Sequence, residues 1–238
     1  MYQELDIEEL VKPITKYCQM VTDPQTIRYH LEKAIYLAKS GRPGPVWLDI
    51  PLNVQASKIE PNTLKGFDPS ELNEPWKVTD LLEYSKVIHE KIYNAKRPVI
   101  FAGSGIRLSG KHDSFIKLVE KLKVPIVTGW NAHDVIWNTH SYYCGRPGTI
   151  GDRGGNFTVQ NSDLLLILGS RLNIRQVSYN WDSFAREAYK IWVDVDSLEM
   201  SKPTVKADMP VLADLKDFLP ILEAEKYEEN MEHKNWLD

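Results

Sequence analysis

The sequence predicts an α/β fold: an open parallel sheet flanked by helices, preceded by a partial α/β domain. PVIFA (98–102), LLLIL (164–168) and the IWV centre of KIWVDV (190–195) are apolar at consecutive positions. Strands of that kind are buried on both faces, as parallel strands are. Between the runs, apolar residues recur three and four apart, the period of a helix packed on a core. Glycine-rich segments at 103–110 and 145–156 punctuate the alternation, as turns between strand and helix do.

Each element has its own local signal. Asp23 and Pro24 open the first helix. Aspartate accepts from unpaired N–H groups at an N-cap, and proline suits the first helical position. Ile27, Leu31, Ile35 and Ala38 then share one face, and Gly41 follows where a left-handed C-cap is wanted. Val46–Ile50 is a buried strand stopped by prolines on both sides. Helix then strand is the second half of a βαβ unit whose first strand is not obvious. Residues 57–79 are rich in proline, lack a sustained period and are expected to be an interdomain linker. A helix then starts near Thr79 and Asp80, with Leu81, Tyr84, Ile88 and Ile92 on one face. Pro98–Ala102 is a strand. Phe115, Leu118, Val119 and Leu122 mark a helix, and Pro125–Thr128 the next strand. Leu164–Gly169 and Lys190–Val195 are strands, and Leu215, Phe218 and Leu222 lie on a last helix. The charged residues 226–238 are expected to be a tail or a linker.

The chain has 238 residues, 42% hydrophobic and 26% charged, an ordinary globular composition. A net charge of −4 gives no basic surplus for nucleic acid or an anionic membrane. No run approaches the roughly 18 apolar residues of a membrane span. The N-terminus has no signal-peptide core, so the cytoplasm is the expected location. Cys18 and Cys144 are far apart and are expected to be reduced. The six histidines show no metal-type spacing, so no metal site is expected. No nucleophile is seen with its base, and no catalytic residue is assigned.

Four features resemble parts of a binding site. Gly103, Gly105 and Gly110 follow a strand, either to bring backbone N–H groups to an anion or simply to turn. Residues 145–156 hold five glycines and two arginines, which fits close ligand contact or a flexible surface loop. Arg171 and Arg175 follow a strand, where ligands of open α/β sheets bind. They suit a phosphate or carboxylate, or carboxylate partners on the surface. Asp194 and Asp196 end a strand, to accept from ribose hydroxyls or to cap the next helix.

In order, GRPGPVWLDIP, RPVIFAGSGI, PIVTGW, GRPGTIGDRGGNFTVQNSDLLLILGSRLNIRQ and IWVDVDSLEMSKP resemble the thiamine-diphosphate-dependent enzymes of the acetolactate synthase type. The likeness runs from about Gln3 to Leu222. It implies that residues 1–56 are the end of a pyrimidine-binding domain, and that residues 80–225 are the Rossmann-like central domain. Residues 226–238 would lead to a diphosphate-binding domain. The family's metal and diphosphate motif and its activating glutamate have no match here, so the chain is expected to be an inactive fragment. The resemblance implies a 2-keto-acid carboligase or decarboxylase that uses thiamine diphosphate and Mg²⁺, as a homodimer or homotetramer. Gln3, beside Tyr2, matches a segment bordering the substrate channel.

In members that bind FAD, the flavin nucleotide lies along the central domain. Arg42 matches the arginine of GRPGP. Gly103, Ser104 and Gly105 match the first glycine turn, and Thr128 and Gly129 the following strand end. Gly148, Thr149 and Gly151 match the second loop. Gly169, Ser170, Arg171 and Arg175 match the arginine loop. Asp194, Val195 and Asp214 match the acidic strand end and a later loop. Two departures leave FAD open. Leu172-Asn173-Ile174 stands where the family has phenylalanine and two aspartates, and Ile150 replaces a loop histidine. Relatives use another nucleotide there, or none. A free-standing FAD- or ADP-binding module and a purely structural α/β domain are the competing readings.

Overall fold

The computed structural model describes residues 5–72 and 80–237. The chain divides into two compact units, Met1–Glu74 and Pro75–Asp238. Gln3 and Thr79, named above, lie outside the described residues.

Unit 1 is a βαβ unit. Strand β1 (Tyr17–Met20) pairs in parallel with β2 (Val46–Asp49), and helix α1 (Ile27–Lys39) connects them. The first strand that the sequence hid is therefore present. Tyr-Cys-Gln-Met has too little apolar character to announce itself. The Asp23 side chain accepts from the Gln25 N–H and starts a 3₁₀ turn that runs into α1. The expected apolar face of α1 is not covered: Leu31 and Ile35 are 42% and 57% exposed, and the buried position is Ala34. Two strands are too narrow a platform to receive a whole helix stripe. The expected linker is partly folded. Leu64 is buried, the Glu32 carboxylate accepts from the Phe67 N–H at 2.8 Å, and Tyr29 Oη donates to Glu71 at 2.9 Å.

Unit 2 carries helix α2 (Leu81–Asn94), strand β3 (Pro98–Ala102), helix α3 (His112–Leu122) and strand β4 (Ile126–Thr128). Helix α4 (Arg153–Asn161), strands β5 (Leu164–Leu168), β6 (Tyr189–Asp194) and β7 (Met209–Leu212) follow, then helices α5 (Leu215–Ala224) and α6 (Glu232–Leu237). The five strands form one parallel sheet in the order β4-β3-β5-β6-β7. Alternation along each strand splits the core in two. Ile100, Ala102, Leu166 and Leu168 pack on one face with Ile88, Phe115, Leu118 and Phe218. Val99, Phe101, Leu165 and Ile167 pack on the other with Val159, Phe184 and Trp192. Strand β7 is short, at the sheet edge, and holds Pro210 where no further strand needs its N–H.

Residues 226–237 do not trail away. Asn230 Nδ2 donates to Tyr93 O at 2.7 Å, His233 Nε2 bonds Ala95 O at 2.8 Å, and Trp236 Nε1 donates to Pro98 O at 3.1 Å. Lys123 pairs with Glu229 at 2.7 Å. The segment's charges hide three side chains that anchor it to main-chain carbonyls of residues 93–98.

Candidate functional site at the carboxyl edge of the sheet

Strand order reverses at the β3–β5 pair, because β3 has β4 on one side and β5 on the other. Loops leaving such a pair run in opposite directions and open a crevice, where ligands of doubly wound sheets bind. The sequence-selected residues of unit 2 all lie on this edge or in its loops. Gly103 and Gly169 follow β3 and β5, Thr128 and Gly129 end β4, and Asp194, Val195 and Asp214 follow β6 and β7.

The glycines here serve close approach between loops. Gly103 N donates to Leu168 O at 2.9 Å, and Gly105 N to Gly169 O at 3.0 Å. A Cβ on Gly103 would lie 2.1 Å from Gly169 O, and one on Gly105 2.7 Å from Gly169 Cα. Gly169 itself has φ +60°, where an L side chain is strained. In this turn the Gly105 N–H is already engaged, and the helix after it, Gly105–Leu108, is a single turn.

The second glycine segment is not a loose loop. From Arg153 it is helix α4, and Gly155 is required because a Cβ there would lie 2.8 Å from the Arg146 backbone. Before it, Asn156 clamps the turn: its Oδ1 accepts from Gly148 N at 2.9 Å and its Nδ2 donates to Gly148 O at 3.1 Å. Thr149 N donates to Arg175 O at 2.8 Å, which joins this loop to the arginine loop. Gly151 N closes the turn onto Gly148 O at 3.0 Å.

The arginine loop is built on a capping box. The Asn173 side chain accepts from Arg175 N, and Gln176 Oε1 accepts from Asn173 N at 3.2 Å. Gln176 is buried; its Oε1 also accepts from Ser170 Oγ at 3.4 Å, and its Nε2 fills the place a Cβ on Gly129 would take. Sequence reading missed Gln176, although the Asn-x-x-Gln spacing announces the box. Ser170 O accepts from Trp192 Nε1 at 2.9 Å. Arg171 pairs with Glu199 at 2.8 Å and is half exposed, while Arg175 is exposed. Lys202 Nζ donates to Glu199 Oε2 at 2.8 Å and to the carbonyl of Arg171. Glu199 and Lys202 were also missed, although both lie within the family-like segment IWVDVDSLEMSKP.

The acidic groups work locally. Asp194 Oδ1 accepts from Asp196 N at 3.0 Å, Asp196 caps the turn at Leu198 N, and Asp214 accepts from Lys216 N at 2.8 Å. Asp196 thus makes the helix cap that was one of its two readings. Ser104 Oγ accepts from Asn131 Nδ2 at 3.2 Å. Arg42 stands in unit 1, in the turn after α1. There Lys16 Nζ ties together the carbonyls of Leu37, Ser40 and Arg42, at 2.7 Å for Ser40 and 3.0 Å for Arg42. That ammonium sits at the helix C-terminus, where a positive charge is favoured. The Cys144 thiol is pushed up by burial, so it is held as an inert neutral group.

Residues 86–222 match the family model for the central domain of thiamine pyrophosphate enzymes. The chain belongs to that family. It is 34% identical to the acetolactate synthase large subunit of Lactococcus lactis over 215 residues, 90% of this chain and 37% of that protein. It is 32% identical to the corresponding subunit of Corynebacterium glutamicum over 245 residues, all of this chain and 38% of the relative. The probable large subunit of Methanocaldococcus jannaschii is 31% identical, with 40% of its length covered. The chain thus spans well under half the length of these relatives. The match with the family model falls wholly within unit 2 and takes in β3 to β7. No described helix is long and apolar enough to cross a membrane.

Proposed function

We propose that this chain is the nucleotide-holding part of a thiamine-diphosphate enzyme that acts on 2-keto acids, as a carboligase or decarboxylase. The observation that carries the reading is the convergence of three loops at the strand-order reversal of a domain matched to this family. The nucleotide would lie across residues 103–105, 148–151 and 169–175. Arg171 and Arg175 would meet its diphosphate with planar, multidentate donors. The main-chain N–H groups of Ser104 and Ser170 themselves would orient it.

FAD and ADP share that diphosphate, and the edge suits either. Leu172, which stands where FAD-binding members have phenylalanine, is buried with φ 44° and is not turned to the edge. Thiamine diphosphate, when bound, supplies the electron sink for decarboxylating a 2-keto acid. Among the described residues no three His, Cys, Asp or Glu side chains converge as a metal site. We place Mg²⁺ and the thiamine diphosphate on other parts of the enzyme, in a homodimer or homotetramer. The chain alone is then inactive.

The test is direct. With pyruvate, thiamine diphosphate and Mg²⁺, the chain should give no acetolactate or aldehyde above background, while ADP or FAD should raise its melting temperature. Sustained product formation by the chain alone would refute the assignment of catalytic parts. Failure of both nucleotides to bind would refute the nucleotide edge.

A further inference from the structure

Beside the arginine loop is a cavity of about 420 Å³, between residues 171–181 and 198–204. No glycine of the sheet edge, and neither Asp194 nor Asp214, lines it. Its body is apolar, with Leu172, Val177 and Leu198, and Trp181 supplies an aromatic wall. One end is ionic. Glu199 takes Arg171 at 2.8 Å and Lys202 at 2.8 Å, which leaves one net positive charge on three groups. Lys202 spends its donors on Glu199 and on the carbonyls of Arg171 and Leu172, so it holds the loop and adds charge. Arg171 offers its Nη2 to Glu199 and is 55% exposed, which leaves guanidinium N–H groups for a ligand. Thr204 also lines the cavity, and its buried Oγ1 has no partner.

We propose that this cavity binds a small organic monocarboxylate with an aryl or branched-alkyl body. A single net positive charge calls for a single negative one. The apolar walls call for a body larger than acetate, and Trp181 for a flat or branched one. A volume of about 420 Å³ is in the range of small-molecule sites. Arg171 meets the carboxylate, and the Thr204 hydroxyl supplies a second polar contact on rotation about χ1. The site goes beyond the nucleotide edge and shares residues 171–174 of the arginine loop with it.

The experiment is calorimetric titration of the full chain with 3-phenylpropionate, its neutral amide, inorganic phosphate and ADP. The acid should bind saturably, and the amide about tenfold more weakly or worse, since a charge-assisted contact is lost. Phosphate should not displace the acid. Leu198→Trp, at a position 78% exposed and so safe for folding, should fill the cavity and abolish acid binding without changing ADP binding. Arg171→Met should weaken the acid about tenfold. No saturable binding, equal affinity for the amide, or unchanged binding by Leu198→Trp would each overturn the proposal. Loss of ADP binding together with acid binding in Leu198→Trp would also overturn it and give the cavity to the nucleotide. Failure of ADP alone to bind would count against the nucleotide edge and leave the acid result to stand or fall by itself.

Discussion

Both units of this chain are parallel α/β structures, yet they are built to different depths. In unit 2 every residue of β3 and β5 is buried, and both sheet faces are covered. In unit 1 β1 and β2 have no buried residue, and the buried apolar residues are Val21, Ala34, Val54 and Leu64. Leu10, Ile14, Trp47 and Leu52 are exposed there. Parallel strands normally have both faces covered. A two-stranded parallel sheet with an apolar surface is therefore a unit with too little core of its own. The same local grammar of helix, turn and strand yields a stable domain only where enough neighbours arrive to close it.

The largest expected effect separates the units outright. A piece comprising residues 80–237 should unfold in one cooperative transition. A piece comprising residues 5–72 should melt without one. Amide exchange in the whole chain should show the same contrast, with β3, β5 and β6 protected to the global limit and β1 and β2 exchanging far sooner. Equal protection in both would break the comparison.

The next effect compares like substitutions. Leu166→Ala, in the unit 2 core, should cost about 2–5 kcal/mol of stability by chemical denaturation. Leu31→Ala, on the open face of α1, should stay within about 0.5 kcal/mol. Equal costs would mean that α1 is packed after all.

Two glycines of positive φ sharpen the account of the edge. Gly169→Ala meets both strain and collision, because its Cβ would lie 2.8 Å from Gly105 Cα. It should cost about 2 kcal/mol or more and abolish nucleotide binding. Gly110 has φ +69° but nothing within 4 Å, so Gly110→Ala should cost only about 1 kcal/mol and leave binding intact. Denaturation with an ADP titration reads both.

The smallest effect is on pH. Burial holds His89 below the ordinary imidazole range, against its bond to the Ser85 carbonyl and aided by Lys121. The unfolded chain then binds more protons than the folded one as pH falls through about 6.5. Stability is fully present above that pH and declines below it. His89→Gln should flatten the decline between pH 7.5 and 5.5 in urea midpoints. An unchanged slope would remove His89 as the cause.

The sheet of unit 2 was legible because its strands are apolar on both faces and its glycine turns fall at their ends. Strand β1 and strand β7 were not, because Tyr17–Met20 is polar-mixed and Met209–Leu212 holds a proline. Helix α4 was masked by Gly154 and Gly155, which read as loop although packing on Arg146 demands a glycine. The edge residues were found through family resemblance; their partners Gln176, Asn156 and Glu199 were not, since side-chain clamps depend on which loops meet. The docking of residues 226–237 was not legible, because charge is visible in sequence and anchoring by His233 and Trp236 is not.

The most direct measurement is a backbone amide NMR titration of the whole chain with ADP. Shifts confined to residues 103–105, 129–131, 148–151 and 169–176, and abolished by Arg175→Met, are the result this account predicts. Absence of saturable shifts, or shifts centred elsewhere in the sheet, would contradict it.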